Sequence, residues 1–425
     1  MSEITLPNCL STETVDKLSH TRSEPEWLIE KRIQALEVFD SLDLPESKYT
    51  KIKRFNPEIL NPFAQGETSK VMFNIDKLDI FILQANTSIR YRVSKSLSNK
   101  IVLLPLADAL KEYEELIREK IFSRFKFEKN KFTALHLALL NAGVFIYIPD
   151  DIELDQPIYI INEVQTENAG IFSHNLIIVG KNSRITIVEE NHCCLGDEYA
   201  FASNVSEIFS GEGSYVNFIS INNLAFGIYN YIERIFNPDK DSKINLISNW
   251  LGGKYTIARH EGILENPGSE FRDIQIAFAG GNQHFDLTSY AQHISPYTKS
   301  NVVMRGVAKD KARLVFYGLV DIEKDAHDSD SYLSEHAMLL NPGARANAIP
   351  SLQIKNANVR AGHGATVGQI DEEQIFYLMT RGLNESEARK AIVEGFLLPA
   401  FDEIRIDFVR ERIQTMIHQK WDSQK

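Results

Sequence analysis

The chain has almost no cysteine: Cys9, Cys193 and Cys194 are the only three in 425 residues. So odd and sparse a set excludes a disulfide framework and points to a reducing compartment. No C-x-x-C pattern occurs, and no cysteine cluster could hold a metal cluster unaided. A phosphate-binding G-x-x-x-x-G-K-[ST] loop is missing as well. Gly252-Gly-Lys254 runs into Tyr255 and lacks the first glycine at the right distance, so ATP hydrolysis by this chain is not expected. His260-Glu261 has no second histidine four residues after the first, which removes a zincin helix. The G-x-S-x-G elbow is absent. A triad assembled from distant residues stays open, because such sites are defined by geometry.

Basic charge is also short. The net charge is −12 and the pI about 5.5, which argues against a protein that grips nucleic acid or an anionic membrane. The one local basic cluster, Lys51-Ile-Lys53-Arg54, reads as a solvated loop. The start, Met1-Ser-Glu-Ile-Thr-Leu-Pro7, lacks the basic and apolar regions of a secretory signal. The most apolar stretch, Thr133 to Ile148, is interrupted by His136, Asn141 and Gly143 and is too short to span a bilayer. A soluble, cytoplasmic protein is expected.

What is present is a change of texture. The length predicts two or three domains, and the first third reads as mostly helical. Ser23-Glu-Pro-Glu26 has the form of a capping box opening a helix to about Ser41, with Trp27, Ile29, Ile33, Leu36 and Phe39 at helical spacing. Strand-like runs follow at Val71–Ile75 and Leu78–Leu83. One amphipathic helix is expected from Pro105 to about Phe125, and a shorter one from Phe132 to Asn141. From Gly143 to about Gly368 helical periodicity gives way to short runs of Ile, Val, Phe and Tyr divided by turn residues, as in Gly180-Lys-Asn-Ser183 and Asn266-Pro-Gly268. Two all-β solutions fit: a large sandwich or barrel, and a stacked β-helix, which needs little identity between rungs. The last section is helical again, with Ile406, Val409, Ile413, Met416 and Ile417 as an apolar stripe that reads as packing within its own domain, or else as a docking surface.

The seam between these textures is the most informative stretch. Asp371 is placed to cap a helix with Gln374 reaching back, Ile370 and Ile375 form a hydrophobic staple, and Gly382 can end the helix in the left-handed conformation. Asn384 and Glu387 repeat the capping pattern for a second helix to about Glu394, giving an αα-hairpin. His363 lies between glycines just before the seam. Its neutral imidazole can ligate a metal together with a partner's thiolate or carboxylate, or simply bond local carbonyls in a turn. His327-Asp328-Ser-Asp330 with Glu335-His336 can form a carboxylate–histidine site, although such runs are more often a solvated loop and a strand edge. Cys193 and Cys194 read as reduced side chains on opposite faces of a strand.

Three stretches carry a resemblance: Lys131 through Asn141 to Pro149, Lys309 through Gly318 and on to Pro350, and above all His363-Gly-Ala-Thr-Val-Gly368 with Asp371-Glu-Glu-Gln-Ile-Phe-Tyr377 and Arg381-Gly382. With Glu24-Pro-Glu-Trp27 they span nearly the whole chain. In these motifs the sequence resembles the SufB/SufD family of the SUF iron–sulfur cluster assembly system, and within it the SufD branch. The resemblance implies a right-handed parallel β-helix (143–369) between an N-terminal helical, α+β region (1–142) and a C-terminal helical domain (370–425). It implies a non-catalytic subunit that pairs with a SufB-like paralogue through the β-helix and docks a SufC-like ABC-type ATPase through the C-terminal helices. Asp371, Glu372, Glu373, Phe376, Tyr377, Arg381, Glu387 and Glu394 are the docking candidates. A transient iron–sulfur cluster shared with the partner is implied, with His363 as this chain's site residue, and a flavin on the assembled complex is left open. Two departures bear on this. Ala361 and Gly362 stand where SufD members often have Cys-Ser, and Phe376-Tyr-Leu378-Met stands where SufB carries a cysteine. The rival expectations are a SufB-type scaffold and a β-helix carbohydrate-active enzyme.

Overall fold

The fold was obtained as a computed structural model, which describes residues 9–69, 75–401 and 403–422. The chain opens with helices α1 (Thr12–Arg22) and α2 (Glu26–Phe39), then strands β1 (Ile80–Ala85), β2 (Ser88–Val93) and β3 (Val102–Pro105). Three short helices follow, α3 (Leu106–Glu112), α4 (Glu114–Lys120) and α5 (Lys131–Ala138). Then come sixteen strands without an intervening helix. The first eight are β4 (Val144–Ile148), β5 (Ile158–Val164), β6 (Gly170–Val179), β7 (Arg184–Cys193), β8 (Ala200–Ser210), β9 (Tyr215–Asn223), β10 (Ile228–Pro238) and β11 (Lys243–Trp250). The rest are β12 (Tyr255–Leu264), β13 (Glu270–Ala279), β14 (His284–His293), β15 (Lys299–Ala308), β16 (Arg313–Ile322), β17 (Asp330–Leu339), β18 (Arg345–Ile354) and β19 (Arg360–Gln369). Helices α6 (Glu372–Thr380), α7 (Glu385–Phe401) and α8 (Asp407–Asp422) close the chain.

Strands alternate between two sheets. From β5 onward the odd strands lie side by side in chain order, and from β4 onward the even strands do the same. Neighbours are parallel and in register, with partners about 30 residues apart, as in His284 opposite Arg313. This is a parallel β-helix of about 8 turns, and it decides between the two all-β solutions. Among the strands of the described residues only β1–β2 and β3–β4, at the N-terminal end, pair antiparallel, and β1 joins the odd sheet beside β5. Each coil buries its inward side chains against the next, so alternation alone suffices and no sequence repeat is needed.

The interior holds apolar clusters and a polar ladder side by side along the axis. Ile82, Ile160, Ile187, Phe218 and Leu246 fill one part, and Phe285, Leu287, Val302, Leu314, Phe316 and Leu333 another. On the same strands as the first cluster an amide ladder runs along successive coils: Gln84 donates to Asn162 at 2.8 Å, Asn162 to Asn191 at 2.8 Å, and Asn191 to Asn222 at 2.9 Å. Beyond it Arg234 pairs with Glu189 and meets His260, which contacts Asp273 at 3.1 Å. Buried polar groups are tolerated when their partners are present, and here they bond one another along the axis.

The helical regions do not simply cap the ends. Leu28, Phe39, Phe132 and Leu135 pack on Phe172, Phe201, Tyr229 and Tyr231, covering the outer face of the even sheet. Val393, Phe401, Val409, Ile413 and Ile417 pack on Val188, Ile219, Ile247, Ile274 and Phe278, covering the outer face of the odd sheet. The stripe on α8 is therefore internal packing, reinforced by Arg412 on Glu190 at 2.9 Å. Three local readings are corrected. Ser23 is not an N-cap: at φ 52° it ends α1, and α2 opens behind Pro25 while Glu24 pairs with buried Arg32 at 2.9 Å. The helix expected over 105–125 is two, broken at Tyr113, whose ring packs on Phe145. The second hairpin helix continues past Glu394 to Phe401. The run expected at Val71–Ile75 lies almost wholly outside the described residues.

Candidate functional site

The two sheets leave their last strands, β18 and β19, unpaired on one edge at the C-terminal end of the solenoid. Side chains there are half-buried or exposed, including Ile354 at 45% and Val367 at 43%. In β17 Ser331, Leu333, Glu335 and Ala337 are buried and alternate with outward neighbours. Their register partners on β19 are Ala361, His363, Ala365 and Val367, which therefore face the same, inner side. The open end thus presents small apolar residues and one histidine.

His363 is exposed and bonds no protein group among the described residues. The turn alternative is not realised, since His363 sits mid-strand opposite Leu333. Gly362 and Gly364 face outward along the Tyr332 ring, where an added Cβ would come within 3.5 Å of it. Among the described residues no three His, Cys, Asp or Glu side chains are arranged to hold a metal ion. His363 offers one nitrogen, and a metal bound there needs further donors.

The second candidate run divides. His327 bonds Asp328 at 2.8 Å in an exposed corner, with Asn358 donating to the same carboxylate at 3.0 Å. His336 meets Thr366 at 2.7 Å on the outer face. Glu335 turns the other way and is fully buried. Its carboxyl reaches across to Gly318 of the even sheet, where a Cβ would lie 2.7 Å from Glu335 Oε1. Neither oxygen has a side-chain hydrogen-bond partner among the described residues, and only the backbone N–H groups of Gly318 and Ile349 face it. Burial pushes this carboxyl up to about 8, only partly offset by the nearby Ile349 and Gly318 amides. Reading this run as a solvated loop and strand edge missed Glu335. The available signal was a glutamate on the inward phase of Ser331, Leu333 and Ala337.

Cys193 and Cys194 are free and diverge as expected. Cys193 joins an apolar cluster, and exposed Cys194 donates to Glu163 at 3.1 Å. Burial and the Glu163 carboxylate push the Cys194 thiol up to about 12, so it is not an activated thiol.

The helical hairpin forms as its caps predict. Asp371 accepts from Glu373 N–H at 2.9 Å and Gln374 N–H at 3.4 Å, Ile370 and Ile375 are buried together, and Gly382 has φ 102°. No return bond from Gln374 is made among the described residues. Asn384 and Glu387 complete a reciprocal capping box at 3.0 and 2.8 Å. Several docking candidates are thereby engaged internally. Glu372 pairs with Arg389 at 3.0 Å, Glu394 with His418 at 2.8 Å, and Arg381 stacks on Tyr377. Exposed Glu373 remains, with Phe376 at 69% and Tyr377 at 56% exposure standing out from α6 beside Met379. No helix among the described residues is long and apolar enough to cross a membrane.

Comparison with known proteins adds a family. Residues 160–396 match the family described as "SUF system FeS cluster assembly, SufBD core domain", and residues 13–160 the "SufBD protein N-terminal region". The chain is 28% identical to the iron–sulfur cluster assembly protein SufD of Bacillus subtilis over 96% of its length and 97% of that relative. It is 27% identical to SufB of the same organism, over 95% of the chain and 91% of the relative. An iron–sulfur cluster assembly SufBD family protein of Staphylococcus epidermidis is 28% identical over 95% of the chain and 91% of the relative.

Proposed function

The chain belongs to the SufB/SufD family of SUF-system iron–sulfur cluster assembly proteins, and from that premise we propose that it is the SufD-type subunit of a cytoplasmic assembly complex. The observation that carries this reading is the uncovered end of the β-helix, where His363 stands without a protein partner. A SufB-like paralogue pairs with that end and supplies the remaining donors, because one imidazole cannot hold a cluster alone. The nascent cluster is cargo shared between the two chains. This subunit performs no turnover of its own.

The C-terminal helices take up an ABC-type ATPase, with exposed Phe376 and the Arg381-stacked Tyr377 ring as the contact on α6. Because α7 and α8 lie along the outer face of the odd sheet, a displacement of the hairpin acts directly on the β-helix. Boundaries at 142 and 369 separate three functional units: support, solenoid and docking hairpin. The rival within the family is a SufB-type scaffold, favoured only by the near-equal identity to the two Bacillus proteins.

The test is His363→Ala in the reconstituted complex. The complex is expected to assemble while cluster formation drops. Normal cluster yield removes His363 from the site. Stable cluster retention by the isolated wild-type chain assigns it to the scaffold branch instead.

A further inference from the structure

Glu335 is a group that the proposed function, as stated, does not use. A buried carboxyl without a charged or side-chain partner costs free energy, so its retention asks for a reason. Its surroundings are built for it. Gly318 leaves the space its carboxyl occupies, and a side chain at that position would collide with both Leu333 and Glu335. On the next coil its register partner is Ala365, a single methyl, beyond which lies the open end. His363 sits two residues from Ala365 on the same inner side. Strand spacing and rise put its Cα about 8 Å from that of Glu335, close enough for both side chains to converge on one atom.

We propose that Glu335 and His363 form a two-residue site for a divalent first-row cation such as ferrous iron at the open end of the solenoid. The inference rests on the end-pairing reading above and adds a carboxylate to it. An imidazole with a carboxylate and water is a donor set that suits Fe(II). Glu335 breaks no side-chain pairing when it swings toward the end, and leaves only the neighbouring Gly318 and Ile349 backbone amides. On binding, a Glu335 carboxylate oxygen and the His363 imidazole each form one coordinate bond to the cation and each displaces one of its water ligands. The metal keeps its oxidation state, with remaining positions filled by water or by the partner chain.

The experiment is site-directed oxidation of the isolated full chain. The protein is loaded with Fe(II), exposed to ascorbate and hydrogen peroxide, and its cleavage and oxidation products are mapped by mass spectrometry. The proposal expects products concentrated at residues 333–337 and 361–367 in the wild type. It expects at least a tenfold loss of them in Glu335→Gln, which keeps the shape of the side chain. Ala365→Leu, which covers the carboxyl and changes neither ligand, is expected to cause a similar loss. An unchanged pattern in folded Glu335→Gln overturns the site, as does a wild type with no local products. Co-purification of the paralogue is scored separately. A chain that shows the local products yet recovers no partner keeps the cation site and rejects the pairing.

Discussion

Replacing Glu335 by glutamine should stabilise the protein, and the gain should grow with pH. The carboxyl is fully buried without a side-chain partner, and burial raises it from 4.5 to about 8 against the smaller opposing effect of the Ile349 and Gly318 amides. Below pH 4.5 the group is protonated in both folded and unfolded chains and contributes no pH dependence. Between 4.5 and 8 the unfolded chain releases the proton while the folded chain holds it, so wild-type stability falls as pH rises. Each unit of that window is worth about 1.4 kcal/mol. The loss is therefore about 3 kcal/mol at pH 7 and about 4 kcal/mol at pH 8. The amide of the Glu335→Gln variant does not titrate, so its cost in the same cavity is independent of pH. Urea unfolding followed by the fluorescence of Trp27, Trp250 and Trp421, at pH 5, 6, 7 and 8, measures the difference directly. The stability of the variant relative to wild type should climb by about 3.5 kcal/mol in total between pH 5 and pH 8. A constant difference would refute the reasoning, and so would a variant that loses ground as pH rises.

Three further outcomes are expected. Phe376→Ala with Tyr377→Ala removes exposed side chains, so unfolding should shift by no more than about 0.5 kcal/mol while ATPase capture in a pull-down falls sharply. Asn384→Ala removes a made cap and should cost about 1 kcal/mol, read as earlier protease cutting in the hairpin. His284 and His293 are both held down to about 4 by burial. They are neutral in both states above pH 6.5, so their stability is intact there. As pH falls from 6.5 to 4 the unfolded chain takes up protons that the folded chain cannot, and each should cost up to about 3 kcal/mol in acid titrations of the melting temperature.

Much of the hairpin was legible because its signals are local. Asp371, Ile370 with Ile375, Gly382 and the Asn384–Glu387 pair act within a few residues, and each does what its spacing predicts, apart from the return bond of Gln374. The β texture after Gly143 was equally plain, but alternation alone does not distinguish a solenoid from a sandwich, since both bury every second side chain. Ser23 misled because its αL conformation, at the end of α1, is decided by the chain before it. The position of α8 against Val188 and Ile247 is a long-range outcome that its own stripe cannot encode. The interior pairs Glu189–Arg234 and His260–Asp273 join residues on different strands, so no local pattern reveals them. At the site, His363 stood out between its glycines. Glu335 did not, because a glutamate in a charged run looks solvated until the strand's phase is known.

The most direct test of the assembly role is anaerobic purification of the tagged chain from its native host at endogenous expression and low salt, with mass spectrometry of what accompanies it. The account predicts an ABC-type ATPase and a cysteine-bearing paralogue in the same fraction. Recovery of the chain alone would contradict it.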